Sequence, residues 1–177
     1  MNPPKRLETD RLILRPPVLA DAESIFKTYA QDPEVTRYLT WQPHTSIVKT
    51  LEFLSGCVDA WQGDYRFPYV ITLKGADLAI GMIEIRLDGF KADVGYGIGR
   101  MYWGRGYMTE ALRAILAWAL AQRAIYRAWA VCDAENIASA RVLEKAGMQR
   151  EGTLRRGIIH PNISTEPRDC FLYAIVK

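Results

Sequence analysis

Residues Gly95–Leu112, GYGIGRMYWGRGYMTEAL, place five glycines in twelve positions and then none in a run of good helix formers. Glycine weakens strands and helices alike, so a chain that gathers it here gives up local stability. Side chains alternate across a strand. With Ala92–Gly99 as a strand, Val94, Tyr96 and Ile98 share one face, while Asp93, Gly95, Gly97 and Gly99 share the other. A face without side chains either admits a ligand or another chain at close range, or marks a bulge or strong twist.

Gly104 and Gly106 then stand directly before a helix start. The first turn of a helix carries unpaired N–H groups and a partial positive charge, which attract anions. Glycines let the backbone close round such a group. Arg105 and Arg100 are candidate charges beside it, and a phosphate or pyrophosphate is the expected occupant; the alternative is an ordinary glycine-rich connection. No G-x-x-x-x-G-K-[ST] is present, and GRGYMT breaks G-x-G-x-x-G at its last position. A P-loop and a dinucleotide fold are therefore not expected.

The remaining elements follow from periodicity and turn residues. RLILR (Arg11–Arg15) alternates as a first strand. Asp21 is the expected cap of a helix to about Ala30, with a short helical segment after Asp32-Pro33. Thr45 or Ser46 caps a helix over about Ile47–Trp61. Strands are expected at Phe67–Leu73, Leu78–Leu87 and Ala92–Gly99, joined by tight turns into an antiparallel meander. Tyr107–Gln122 is an amphipathic helix, Tyr126–Asp133 a buried strand, and Asn136–Ala146 a helix closed by Gly147. Met148–Leu154 and Cys170–Val176 are the last strands, with a loop containing Pro161 and Pro167 between them. The expected fold class is α/β: a mixed, mostly antiparallel central sheet of about seven strands flanked by helices, in the order β-α-α-β-β-β-α-β-α-β-β. At 177 residues it is expected to be one domain, residues 1–177.

Lys and Arg exceed Asp and Glu by 3, far from the basic patch of a nucleic-acid binder. The apolar stretch Ala114–Ala121 is well short of the ~20 residues of a membrane span, and the first residues lack the long apolar run of a signal peptide. Three cysteines and two histidines form neither a disulfide framework nor a metal-ligand spacing. The expectation is a cytoplasmic protein, monomer or homodimer, with no metal, nucleic-acid or membrane partner.

Three stretches together resemble one family. GYGIGRMYWGRGYMTEAL resembles the pyrophosphate-binding motif of the GNAT N-acetyltransferases, its W-G-R-G-Y-M falling where that family has Q/R-x-x-G-x-G/A. ETDRLILRP near the start, and NIASARVLEKAGM (Asn136–Met148), are similar to the ribosomal-protein N-acetyltransferase (RimJ/RimL-like) branch, which has N-x-x-S-x-x-x-L-E-K-x-G-F. Trp103 replaces the Gln or Arg, Met108 the final Gly or Ala, and Met148 the Phe. The resemblance implies acetyl-coenzyme A as co-substrate. Its pyrophosphate would lie on Arg100, Trp103, Gly104, Arg105, Gly106, Tyr107 and Met108. Its pantetheine would lie along Gly97, Ile98 and Gly99, where the strand splays from its neighbour and an amide near Ile98 polarises the thioester carbonyl.

Acetyl transfer to an amine needs a neutral amine, a stabilised oxyanion and a proton for the leaving thiolate. Direct transfer in a ternary complex needs no nucleophile from the enzyme. Asn136 and Ser139, three apart at a helix start, are explained by capping alone; the resemblance adds coenzyme contact for Asn136 and for Ser139, with Ser139 as general acid. Asp93 and Glu84 are candidate bases, with Asp169 a third, although such carboxylates are more often solvated strand charges. Tyr96, opposite the glycines, is expected in the core. The early aromatics divide between core and amine pocket, and the loop Ile158–Arg168 with His160 is a candidate opposite wall. The expected activity is N-acetylation of a primary amine, on a protein N-terminus or a small molecule. The alternative is a non-catalytic acyl-coenzyme A sensor.

Overall fold

The computed structural model describes residues 2–177. One eight-stranded sheet runs through them in the order β1-β2-β3-β4-β5-β6-β8-β7. Its strands are β1 (Leu7–Glu8), β2 (Leu12–Arg15), β3 (Arg66–Leu73), β4 (Ala76–Asp88), β5 (Lys91–Ile98), β6 (Arg127–Asp133), β7 (Gln149–Ile158) and β8 (Arg168–Val176). All neighbours are antiparallel except β5 and β6. The α/β class and the mixed, mostly antiparallel sheet agree with expectation, with one strand more. That strand is β1, a two-residue piece that folds back on β2 through a turn in which Thr9 N–H donates to Leu12 O. Such a piece is too short to show alternation.

Five α-helices flank the sheet: α1 (Ala22–Ile25), α2 (Pro33–Thr36), α3 (Ile47–Ala60), α4 (Tyr107–Ala121) and α5 (Ile137–Lys145). A π-helical turn, Phe26–Ala30, continues α1. Asp32 caps α2 by accepting from Glu34 N–H. Asp21 does not cap as expected. Its carboxylate accepts from Val18 N–H and takes both terminal nitrogens of Arg15, holding β2 against the start of α1.

The two faces of the sheet carry separate cores. Leu12, Leu14, Ile83, Ile85, Val94 and Ile98 pack against Met108, Leu112 and Ile115 of α4. Val70, Ala79 and Met82 pack beneath Ile25, Tyr29 and Leu54 on the other face. The glycine face of β5 belongs to this second side, and Gly99 has a packing reason to be glycine. A Cβ there would stand 2.5 Å from Thr28 Cγ2 and 2.9 Å from Thr28 O, in the π-helical turn. Gly97 looks onto Leu39, and Gly95 onto the Arg86 guanidinium. The face is therefore covered at Gly99 by the chain's own first helix. Among the described residues no helix is long and apolar enough to cross a membrane, and no group of three or more His, Cys, Asp or Glu could hold a metal ion.

Candidate active site

The parallel pairing of β5 with β6 stops after Lys91–Arg127, Ala92–Ala128 and Asp93–Trp129. β5 goes on beside β4 to Ile98, and β6 goes on beside β8 to Asp133. The sheet thus opens into a wedge. Gly99 N–H donates to Ile80 O of β4 at 2.9 Å. Amides alternate along a strand, so the Ile98 amide faces the wedge.

The chain leaves β5 through a 3₁₀ turn, Arg100–Tyr102, and enters α4 through Gly104 (φ 71°) and Gly106 (φ 78°). Both sit in the left-handed region that favours glycine. The first helical bond runs from Glu110 N–H to Gly106 O, which leaves the amides of Tyr107, Met108 and Thr109 as the free donors of the first turn. Met108 is buried in the core, so its bulk points away from the loop and its amide is what it offers there. Trp103 is half exposed and its indole N–H donates to Ile98 O at 2.8 Å, fixing the loop to the strand end. Arg100 lies 3.2 Å from Asp32, and Arg105 is exposed.

A brace from the far edge of the sheet holds this loop. Arg11 Nε donates to Glu110 Oε2 at 2.7 Å, and Arg11 Nη1 donates to Arg105 O at 3.0 Å. The Arg11 amide and the Thr9 hydroxyl both donate to Glu110 Oε1, at 2.9 and 2.5 Å. The Arg11 guanidinium also lies over the Tyr107 ring. Burial works against a charged Glu110, but the Thr9 and Arg11 donors outweigh it and hold the carboxyl below its ordinary value. The opening motif ETDR carries the family resemblance, yet nothing local in the sequence ties it to a loop some hundred residues later.

On the α4–α5 side of the wedge, Asn136 Oδ1 accepts from Ser139 N–H at 3.1 Å and caps α5. Ser139 Oγ lies 2.9 Å from the Tyr96 hydroxyl. Burial pushes the Tyr96 phenol up, so it keeps its proton at neutral pH. Tyr96 packs against the core as expected, but its hydroxyl reaches the site, which the spacing of β5 alone does not reveal. Cys132 points to the same side, and burial pushes its thiol up to about 11, so it is not a thiolate nucleophile.

The candidate bases lie on the opposite face of the sheet. Glu84 Oε2 accepts from Arg66 Nε at 2.7 Å and Oε1 from Arg86 Nη1 at 2.7 Å; Asp93 is paired with the same Arg86. The two carboxylates form a charge ladder with arginines across β3, β4 and β5. Asp93 also borders a cavity of about 330 Å³ lined by Trp129, Arg127 and Leu172. Asp169 accepts the Arg156 N–H at 2.8 Å.

The loop between β7 and β8 crosses to α2. Asn162 Nδ2 donates to Thr36 O at 2.7 Å and to Trp41 O at 2.8 Å. Of the early aromatics, Tyr29, Phe67 and Tyr69 are core, Trp41 stacks with His44 and Phe53, and Tyr38 stands edge-on to His160. Tyr38 therefore meets this loop with its ring, and Trp41 with its backbone carbonyl.

A family model for the acetyltransferase (GNAT) domain matches residues 11–149. The chain belongs to the GNAT acetyltransferase family. Membership makes this GNAT protein an enzyme that takes an acetyl group from acetyl-coenzyme A. It is 32% identical to the N-acetyltransferase YoaA of Bacillus subtilis, with 97% of this chain and 96% of YoaA covered. It superposes with a TM-score of 0.84 on a GNAT-family acetyltransferase from Bacillus anthracis, at 27% identity over 97% of this chain and 98% of that one. It has the fold of RimL, the ribosomal L7/L12 α-N-protein acetyltransferase, solved with coenzyme A as a cysteine disulfide: TM-score 0.83, 20% identity, 95% of each chain.

Proposed function

We propose that this GNAT protein moves the acetyl group of acetyl-coenzyme A directly to a primary amine, on a protein N-terminus or a small molecule, in one ternary complex. The observation that carries it is the wedge between β5 and β6, with anion-binding amides at its mouth and a proton-bearing Tyr96–Ser139 pair on one side. The free amides of Tyr107, Met108 and Thr109, shaped by Gly104 and Gly106, hold the pyrophosphate. The pantetheine runs into the wedge past Gly97–Gly99, and Asn136 contacts it. The Ile98 amide donates to the thioester oxygen as it gains charge. Ser139 passes a proton to the leaving sulfur, and Tyr96 behind it supplies the replacement. Cys132 beside this pair puts a cysteine of this chain where a coenzyme sulfur would lie, in keeping with the cysteine–coenzyme disulfide of RimL. Its three cysteines are free and buried, in keeping with a reducing cytoplasmic setting.

The test is thiol release from acetyl-coenzyme A with N-terminal peptides, polyamines, amino acids and aminoglycosides. Turnover with at least one amine is the expected result. Tight coenzyme binding with turnover of none would replace the transferase by an acyl-coenzyme A sensor. Ser139→Ala and Tyr96→Phe should each lower kcat by about 10²–10⁴-fold, the range expected for one proton-transfer partner, while leaving the coenzyme Kd nearly unchanged. Because the two act as a unit, the double variant should be little worse than the poorer single.

A further inference from the structure

His160 stands out on the acceptor side of the wedge. It is 3% exposed, and neither ring nitrogen has a hydrogen-bond partner among the described residues. Buried polar groups in folded proteins are almost always paired, so an orphaned imidazole calls for a partner that arrives. The groups facing it are few. Asp133, at the end of β6, has Oδ2 3.6 Å from Nε2. Tyr38, after α2, stands edge-on with its centroid 6.3 Å away. Arg168, at the start of β8, reaches it only through Asp133, binding that carboxylate at 2.6 and 3.2 Å and Glu135 at 2.9 Å.

Asp133 is 1% exposed. Its burial disfavours charge, but the Arg168 guanidinium and the Glu135 N–H outweigh it and keep the carboxylate ionised. An anion on the Nε2 side of the ring favours the tautomer that carries its proton there and its lone pair on Nδ1. Position follows from the strand. Cys132 and Asp133 are successive residues of β6, so they point to opposite faces. Cys132 faces the Tyr96–Ser139 pair, and Asp133 faces His160. The Tyr38–Leu39 segment ties the same place to β5, with Tyr38 on His160 and the Leu39 side chain over Gly97.

We propose that His160, oriented by Asp133, is the general base that takes the proton of the acceptor amine. This rests on the transferase activity above. The acceptor enters as an ammonium and gives one proton to Nδ1. The freed lone pair forms the C–N bond to the thioester carbon. The C–S bond breaks, its electron pair leaves on sulfur, and the thiolate takes a proton from Ser139. The second ammonium proton restores the Tyr96–Ser139 pair, and the imidazolium releases its proton to solvent with the products. Base and acid then lie on opposite faces of β6, as a displacement across the wedge requires. Glu84 and Asp93, with their arginine partners, act in structure and charge balance.

The test compares two acceptors in His160→Asn and Asp133→Asn. An alkyl amine that is charged at pH 7 needs a base; a hydrazide, neutral at pH 7, does not. His160→Asn should lose about 10²–10⁴-fold in kcat/KM with the alkyl amine, the usual worth of a positioned base, and less than about fivefold with the hydrazide. Asp133→Asn should show the same pattern more weakly. Equal losses with both acceptors, or no loss, would overturn the base while leaving the transferase standing. A wild type that acetylates no amine would overturn the activity and the base together. Should the variants not fold, the wild type answers by ¹⁵N NMR, because the chain has only two histidines. With a non-transferable S-ethyl-coenzyme A bound, the alkyl amine should move the His160 Nδ1 resonance and leave that of His44. An unmoved His160 resonance at saturating amine would overturn the proposal.

Discussion

The donor and acceptor sides of the wedge are built on opposite plans. On the donor side, the backbone of the pyrophosphate loop is tied down at several points. Trp103 is bonded to the strand end, Gly106 caps α4, and Arg11, Thr9 and Glu110 brace the loop from the other edge of the sheet. On the acceptor side, one amide group, Asn162, docks the β7–β8 loop onto α2, and the histidine beneath it has no hydrogen-bond partner among the described residues. The difference follows from the ligands. A pyrophosphate is the same in every turnover and rewards a preformed cradle, because groups already in place lose no further freedom on binding. An acceptor must be admitted, deprotonated and released, so its side needs a group with free valence and a wall that can give way.

The sharpest way to break the comparison is to spoil the cradle itself. Gly106→Val forces a β-branched residue into φ 78°, a region costing an L-residue roughly 1–2 kcal/mol even without branching. The backbone would leave that conformation, and the first-turn amides with it. Coenzyme Kd should rise by about 100-fold or more, about 2.8 kcal/mol on the scale of 1.4 kcal/mol per decade, as read by calorimetry. A Kd within threefold of wild type would show that those amides do not hold the pyrophosphate.

A smaller effect is expected one step back from the ligand. Arg11→Ala removes the donors to Glu110 and to Arg105 O, but leaves the loop's own glycines. The KM for acetyl-coenzyme A should rise about tenfold, moderated because Arg11 is half exposed, with acceptor KM unchanged. Arg11→Lys should recover little, since a single ammonium cannot span both acceptors. The brace should also respond to acid. Glu110 is held below its ordinary value, so its contribution is complete above about pH 4.3, the unfolded carboxylate's value, and is lost as pH falls through the lower folded one. If Arg11→Ala raises both KM values alike, the brace supports the fold generally rather than the donor side.

The same contrast explains what could be read from the chain beforehand. The cradle was legible because its parts are contiguous: Gly104, Gly106 and a helix start lie within a few residues, and backbone donors need no distant partner. The order of elements was legible for a similar reason, since periodicity and turns are local. What stayed hidden were the side-chain pairings between distant elements. Tyr96 meets Ser139 at a separation of 43 residues, Arg11 meets Glu110 at 99, and Glu84 and Asp93 are engaged by Arg66 and Arg86. Alternation told which face each occupied but not what else would arrive there. Gly99 shows the limit well. Its place on a bare face suggested room for a ligand, whereas Thr28 of the first helix fills that space, a contact no spacing within β5 could report.

The smallest predicted effect tests whether the acceptor wall is held as lightly as its contacts imply. Asn162 offers one Nδ2 group to two carbonyls, Thr36 O and Trp41 O. Asn162→Ala removes both bonds and leaves two carbonyls to water, at a cost of about 1 kcal/mol by the usual worth of a neutral hydrogen bond. Global unfolding should move little, because the loop contributes few side chains to either core. The acceptor KM should instead rise about fivefold, from looser placement of Tyr38 and His160, while the coenzyme KM holds steady. Such a split would mirror that of Arg11→Ala, one variant loosening each side of the wedge without touching the other. Should Asn162→Ala instead raise the coenzyme KM, the two sides would be mechanically coupled, and the acceptor loop would have to be counted among the supports of the donor cradle.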